Sequence, residues 1–238
     1  MRRHLVRLII MVEHWFGIGL PPRDRPDMTE YPDKFIRAAD ILAQKYGWLR
    51  SHEVGLPVDA AGDAIPWFTY PAIEYLNQYD LAGKRIFEYG CGQSSKYWVR
   101  RGAQLWSVEH DPEWHRKVGE SAPSSHVLSL QSEQEGYVAA IRVPGTQFHV
   151  IVIDGVWRDQ CATEAPKHLA PGGFIVFDNM DWYPQIASSL RAQGFVQVDF
   201  QGFTALNDYT STTTIFLPRL GVDQSRFRNN SPICGTQG

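Results

Sequence analysis

The sequence is poor in cysteine: Cys91, Cys161 and Cys234 are all it has among 238 residues. They are far apart, odd in number and lack metal-ligand spacing, which argues against a disulfide framework or a zinc site and for a reducing, cytoplasmic setting. Charge of one sign is also missing. With 23 Lys and Arg against 26 Asp and Glu, the formal net charge is -3, so the concentrated basic face of a nucleic-acid binder is not expected. No apolar run approaches the roughly 20 residues a bilayer-spanning helix needs; the longest early one is residues 8–12. The eight histidines show no metal-binding spacing. Neither a Gly-x-Ser-x-Gly elbow nor a Gly-Lys-Ser/Thr loop is present, which counts against hydrolase and nucleotide-triphosphatase chemistry.

What is there suggests three segments: a helical N-terminal segment with a linker (1–65), an α/β domain (66–218) and a loose tail (219–238). Residues 1–20 carry Arg2, Arg3 and Arg7 before a short apolar stretch that Glu13 and His14 interrupt. With no small-residue cleavage site after it, an amphipathic helix is expected rather than a signal peptide. Packing on the body and peripheral contact with a membrane surface both remain open, as does assembly into a homo-oligomer. The stretch 21–32, rich in proline and charge, reads as a linker. Phe35, Ile36, Ala39, Leu42 and Ala43 have the spacing of one buried helix face over 33–48, and Pro71 fits the first turn of a helix over 70–79. From Arg85 onward, short apolar runs alternate with amphipathic ones. Strands are expected at 85–88, 105–109, 126–130, 150–154, 174–178, 195–200 and 212–217. Pro171-Gly172-Gly173 is expected to stop a helix over 161–169. This alternation predicts a Rossmann-like, doubly wound, mostly parallel sheet of seven strands, with one antiparallel strand in the closing pair.

The segment Arg85-Ile86-Phe87-Glu88-Tyr89-Gly90-Cys91-Gly92-Gln93-Ser94-Ser95 passes from a strand through two glycines into a helix. Glycine lets a ligand approach the backbone closely, and the helix start adds free N–H groups. The third glycine of the dinucleotide fingerprint is absent, which weakens a pyrophosphate reading. The next strand ends at Glu109, about 20 residues on, where a carboxylate can accept hydrogen bonds from ribose hydroxyls. Asp111, directly before Pro112, is the better helix cap of the two acids.

Those residues, with the block FHVIVIDGVWRDQCATEAPKHLAPGGFIVFDN, resemble the class I S-adenosylmethionine-dependent methyltransferases over about residues 66–218. Within them the combination FEYGxGxS, SVEHD and IDGxxR is most similar to the sugar- and polysaccharide-directed O-methyltransferase-like branch. The resemblance implies S-adenosylmethionine as cofactor and O-methylation of a small molecule or saccharide. It assigns Glu88, Gly90, Cys91, Gly92, Ser94, Glu109, His110 and Asp154 to the cofactor, with Asp154 as catalytic base and His110 as a second candidate.

Asp154, Asp178 and Asn179 end neighbouring predicted strands, and three such oxygens suit Mg²⁺ or another divalent cation. An ordinary Asp-Asn turn is the competing reading. Cation-dependent O-methyltransferases, which the arrangement resembles, carry a lysine three residues after the first Asp; here Trp157 stands there. Arg158, one residue on, is expected to hold an acidic acceptor by a bidentate contact or, as the competing reading, to form a surface salt bridge with Asp159 or Glu164; Trp157 and Trp182 read as aromatic platforms beside it or as core and lid packing. Two other functions stay in view: an NAD-dependent oxidoreductase on a related fold, and a catalytically silent cofactor-binding or partner protein.

Overall fold

The computed structural model describes residues 32–219 and residue 233. The expected helix at 1–20, nearly all of the linker after it, and Cys234 lie outside the described residues, as does the expected tail apart from Arg219 and Ile233. Among the described residues, the division into two compact units falls between Asp40 and Ile41.

On the N-terminal side is one helix, α1 (Pro32–Asp40). Phe35, expected on a buried face, is 49% exposed, and Ala39 is exposed as well. Of the helix expected over 33–48, residues 33–40 are α-helical and residues 41–45 form a π-helix, and the helical run ends before Tyr46. Beyond Asp40 the chain makes a π-turn over Ile41–Lys45 and restarts as α2 (Trp48–Val54). Tyr46, at the break, is taken up by tertiary contacts with α3 (Tyr70–Leu76): its hydroxyl donates to Glu74 (2.8 Å) and its ring meets Tyr70 at 4.6 Å. Side-chain partners distant in sequence override helix propensity here.

The strands are β1 (Arg85–Tyr89), β2 (Gln104–Glu109), β3 (His126–Leu130), β4 (Phe148–Ile153), β5 (Leu169–Asp178), β6 (Phe195–Phe203) and β7 (Thr210–Pro218). Between them run α4 (Gln93–Arg100), α5 (Pro112–Gly119), α6 (Gln134–Ala139), α7 (Arg158–Glu164) and α8 (Pro184–Ala192). The sheet order is β3-β2-β1-β4-β5-β7-β6, with β7 antiparallel to both neighbours and every other pairing parallel. The doubly wound, mostly parallel sheet expected from the sequence is thus formed. Its strands alternate between two buried faces. Phe87, Tyr89, Ile151, Ile153, Ile175 and Phe177 enter one core, and Ile86, Val150, Val152, Phe174 and Val176 the other. Burial on both faces explains why β4 and β5 read as continuous apolar runs.

Pro171-Gly172-Gly173 departs from expectation. It lies inside β5, where the pairing with β4 shifts from Phe148↔Leu169 to Val150↔Phe174. The helix before it has already ended in the 3-10 turn Ala165–His168. Among the described residues no helix is long and apolar enough to cross a membrane. The chain reverses its winding between β1 and β4, and in such sheets ligands bind outside the carboxyl strand ends at that switch point.

Candidate active site

A cleft of about 410 Å³ opens at the switch point. The turn after β1 contributes Glu88, Gly90, Cys91 and Ser94, and the end of β2 contributes Glu109, His110 and Asp111. The end of β4 contributes Asp154, Gly155 and Val156, and Trp114 of α5 completes the wall. Glu88, Gly90, Cys91, Ser94, Glu109, His110 and Asp154 were all expected from sequence, and the fold brings them together. Gly92 sits just outside the lining, as the N-cap of α4.

The floor is main chain. Gly90 has φ 95° and donates its N–H to Val108 O (2.9 Å), tying the turn to β2. Facing it is Gly155: a Cβ built there would lie 3.0 Å from Gly90 N and would strike the Tyr137 hydroxyl. The two turns pass each other at a spacing that side chains would fill.

Glu88 is buried beneath this floor. Ser95 (2.5 Å) and Ser107 (3.2 Å) donate to its Oε2, and the Trp98 indole donates to Oε1 (3.2 Å). Burial pushes its carboxyl up to about 7, against the pull of these donors. Glu109 Oε1 accepts the backbone N–H groups of His110 (2.8 Å) and Asp111 (3.0 Å) and lies 2.8 Å from His110 Nδ1. The Cys91 thiol approaches Oε2 at 3.5 Å. Burial, then the charges of Glu109 and Glu88, pushes that thiol up, away from nucleophilic chemistry. Asp111 caps α5 through Trp114 N (2.8 Å), as expected.

Trp114 was missed in the sequence. Its indole N–H donates to Cys91 O (2.7 Å), so the ring bridges from α5 to the glycine turn. The signal was present: side chains in a first helical turn point back towards the helix start, here towards the end of β2.

The residues expected to receive the acceptor or a metal are placed differently. Arg158 is mostly buried, and each of its N–H donors meets a protein oxygen: Gly155 O, Asp178 O, Asn179 Oδ1, Asp154 O and Asp154 Oδ1. No donor remains for an acidic acceptor, so the anion contact expected of Arg158 has no geometry to support it. Asp178 is buried and takes a 2.5 Å hydrogen bond from Thr213 Oγ1. Burial and the charge of Asp154 push it well above the usual carboxylate range. Asn179 accepts from Arg158 through its side-chain oxygen and donates to Ser211 Oγ (3.3 Å).

At Asp154, Asp178 and Asn179, where a divalent cation was expected, one side-chain oxygen of each is instead engaged by Arg158 or Thr213. Among the described residues no group of three or more His, Cys, Asp or Glu side chains is placed to hold a metal ion. Asp154 itself lines the cleft, and burial raises it to about 6, with Arg158 acting in the opposite direction. Trp157, in the left-handed region at φ 50°, packs on His110 (6.1 Å) and Tyr137 (5.3 Å) behind the cleft wall. Trp182 is 61% exposed beyond β5.

No known family profile matches the chain, and no curated protein matches it in sequence. Solved structures do resemble it. The O-methyltransferase TomG from Streptomyces achromogenes, involved in tomaymycin synthesis and solved with S-adenosylmethionine, has a TM-score of 0.49 at 17% identity, over 82% of this chain and 99% of its own. The precorrin-6y C5,15-methyltransferase from Geobacter metallireducens has a TM-score of 0.48 at 11% identity, over 62% and 86%. The ribosomal protein L11 methylase from Lactobacillus delbrueckii subsp. bulgaricus scores 0.47 at 14%, over 68% and 89%. At such identities, which chemistry this chain performs rests on its own side chains.

Proposed function

We propose that the chain is an S-adenosylmethionine-dependent methyltransferase acting on an oxygen of a small molecule or saccharide, with residues 66–218 as its catalytic domain. One observation carries the reading. The buried Glu109 carboxylate at the end of β2 faces the Gly90 turn across a single cleft that also holds His110 and Asp154.

The cleft fits the cofactor. Gly90, Cys91 and Ser94 of the turn after β1 line the open space and can meet the methionine portion, and Glu109 offers an acceptor for ribose hydroxyls. His110, held at Glu109, and Val156 flank the space for a flat base. When bound, S-adenosylmethionine supplies an electrophilic methyl group. Asp154 stands at the end of β4 with a carboxylate that burial raises to about 6, which suits accepting a proton from an acceptor hydroxyl as its oxygen takes the methyl. The remaining contribution is alignment and exclusion of water. Trp182, exposed beyond β5, is the proposed contact for an acceptor ring. The saccharide class rests on the sequence resemblance, and the dinucleotide alternative is disfavoured by Ser95. It occupies the place of the third glycine and is bonded both to Gly92 N (3.0 Å) and to Glu88.

Calorimetry with S-adenosylhomocysteine and, separately, with NAD⁺ tests the proposal. Micromolar binding of the first is expected. Glu109→Ala should weaken it more than tenfold, since a hydrogen bond to a charged group contributes roughly 1.5–3 kcal/mol. Binding of NAD⁺ in place of S-adenosylhomocysteine, or an unchanged Glu109→Ala variant, would overturn it.

A further inference from the structure

Arg158 has a place in the site that differs from acceptor binding. A guanidinium carries five N–H donors, and here each has its own oxygen. Nε donates to Gly155 O (2.9 Å). Nη1 donates to Asp178 O (2.5 Å) and Asn179 Oδ1 (3.1 Å), and Nη2 to Asp154 O (3.0 Å) and Oδ1 (3.1 Å). The Phe177 and Tyr183 rings lie 5.9 and 5.6 Å from its Cζ, within reach of a cation–π attraction. One carboxylate, one amide oxygen and three carbonyls form the donor set a hard divalent ion takes. They surround an organic cation instead.

The backbone at this point is held in sparsely populated conformations. Trp157 (φ 50°) and Asn179 (φ 55°) are the non-glycine residues in the left-handed region among the described residues. They stand at the turns after β4 and β5, the two that Arg158 ties together. Such conformations persist where surrounding contacts over-determine them.

We infer that Arg158 is the resident cation of this site: its guanidinium takes the place of a divalent ion among the strand-end oxygens and fixes Oδ1 of Asp154 beside the cleft. The inference rests on the reading of that cleft as the cofactor site. Arg158 is then a positioning residue, holding through Asp154 the group proposed to receive the proton. No metal ion is needed for that placement. A lysine could not replace it, since one ammonium cannot reach five oxygens spread over two turns.

The test uses Mn²⁺ as probe, followed by electron paramagnetic resonance on the full chain saturated with S-adenosylhomocysteine. Wild type is expected to bind no Mn²⁺ below millimolar concentration. Arg158→Ala is expected to bind one ion at least tenfold more tightly than wild type, with the gain abolished by adding Asp154→Asn. Guanidinium chloride at about 10 mM, far below denaturing levels, should displace that ion and raise the melting temperature of Arg158→Ala but not of wild type. Arg158→Lys, which keeps a charge and guards against a variant that fails to fold, should gain no ion. Micromolar Mn²⁺ binding to wild type that Asp154→Asn removes would overturn the inference. So would an Arg158→Ala protein that gains neither the ion nor protection by guanidinium. Calorimetry with S-adenosylhomocysteine on wild type separates the two claims: its failure defeats the cofactor reading, whereas the Mn²⁺ result decides the role of Arg158.

Discussion

The carboxyl edge of the sheet has two halves built on different principles. On the β1–β2–β4 side the floor is backbone: Gly90 N bonded to Val108 O, Gly155 passing close to Gly90, and Glu109 gathering the N–H groups of its own next two residues. On the β5–β7 side the structure is held by side chains that meet across long sequence separations. Thr213 reaches Asp178 and the Thr69 amide, Asp181 accepts the amide of Thr212, and Arg158 binds both strand-end turns. The first half makes a cleft; the second makes a plug. Acids at the ends of neighbouring strands are therefore not equivalent. Glu109 and Asp154 line open space, whereas Asp178 is sealed under Thr213.

The backbone-built half should fail most severely when a methyl group is added where backbones meet. Gly155→Ala puts a Cβ against the Tyr137 hydroxyl and 3.0 Å from Gly90 N. Overpacking of this kind costs on the order of 3 kcal/mol, about a hundredfold in affinity if the two turns part. S-adenosylhomocysteine binding should fall accordingly by calorimetry. Tyr137→Phe, which removes the struck hydroxyl, should recover part of the loss in the double variant. Equal binding by Gly155→Ala and wild type would show that the floor tolerates side chains, and the distinction between the halves would lapse.

That contrast also explains what could be read from the sequence. The cleft-lining residues of β1 and β2 were legible because their geometry is local: a strand, two glycines, a helix start, and an acid ending the next strand. The β-strands were legible because β4 and β5 are buried on both faces and show it as unbroken apolar runs. Arg158 was not, since its partners Asp178 and Asn179 lie 20 and 21 residues away, and their direction depends on two left-handed turns at Trp157 and Asn179. Nothing in residue type announces φ 50° at a tryptophan. Pro171-Gly172-Gly173 carried a stop signal that the chain uses instead to absorb a register shift inside β5. The break at Tyr46 depends on Glu74 and Tyr70, and neither is visible in the local periodicity.

On the β5–β7 side the vulnerable group is Thr213. Thr213 Oγ1 donates to Asp178 and also accepts the buried Thr69 N–H (3.0 Å). Thr213→Val keeps the shape and strands both partners. Each orphaned buried group costs roughly 1–3 kcal/mol, so denaturant unfolding should show a loss of about 2 kcal/mol or more. S-adenosylhomocysteine affinity should stay within a factor of two, because the β5–β7 half contributes no wall to the cleft. A large fall in affinity without a fall in stability would mean that the plug and the cleft are one device.

A milder loss is expected at Trp114, a side chain of α5 that reaches the glycine turn of the backbone-built half. Its indole N–H donates to Cys91 O at 2.7 Å, while the ring is 40% exposed over the glycine turn. Trp114→Phe keeps most of the ring and removes that single donor. A hydrogen bond of this type contributes about 1 kcal/mol net. Its acceptor is solvent-accessible enough to recover water, so the effect on global stability should be smaller still. The loss should appear in ligand affinity, as a several-fold weakening of S-adenosylhomocysteine binding, because the bond holds the turn at Cys91 in the shape that faces the ligand. Trp114→Leu, which removes the aromatic wall as well, should weaken binding further. If the phenylalanine and leucine variants bind equally, the ring has no part in the wall and only its N–H matters. If both bind as well as wild type, the glycine turn holds itself, and the backbone-built half needs no side-chain support at all.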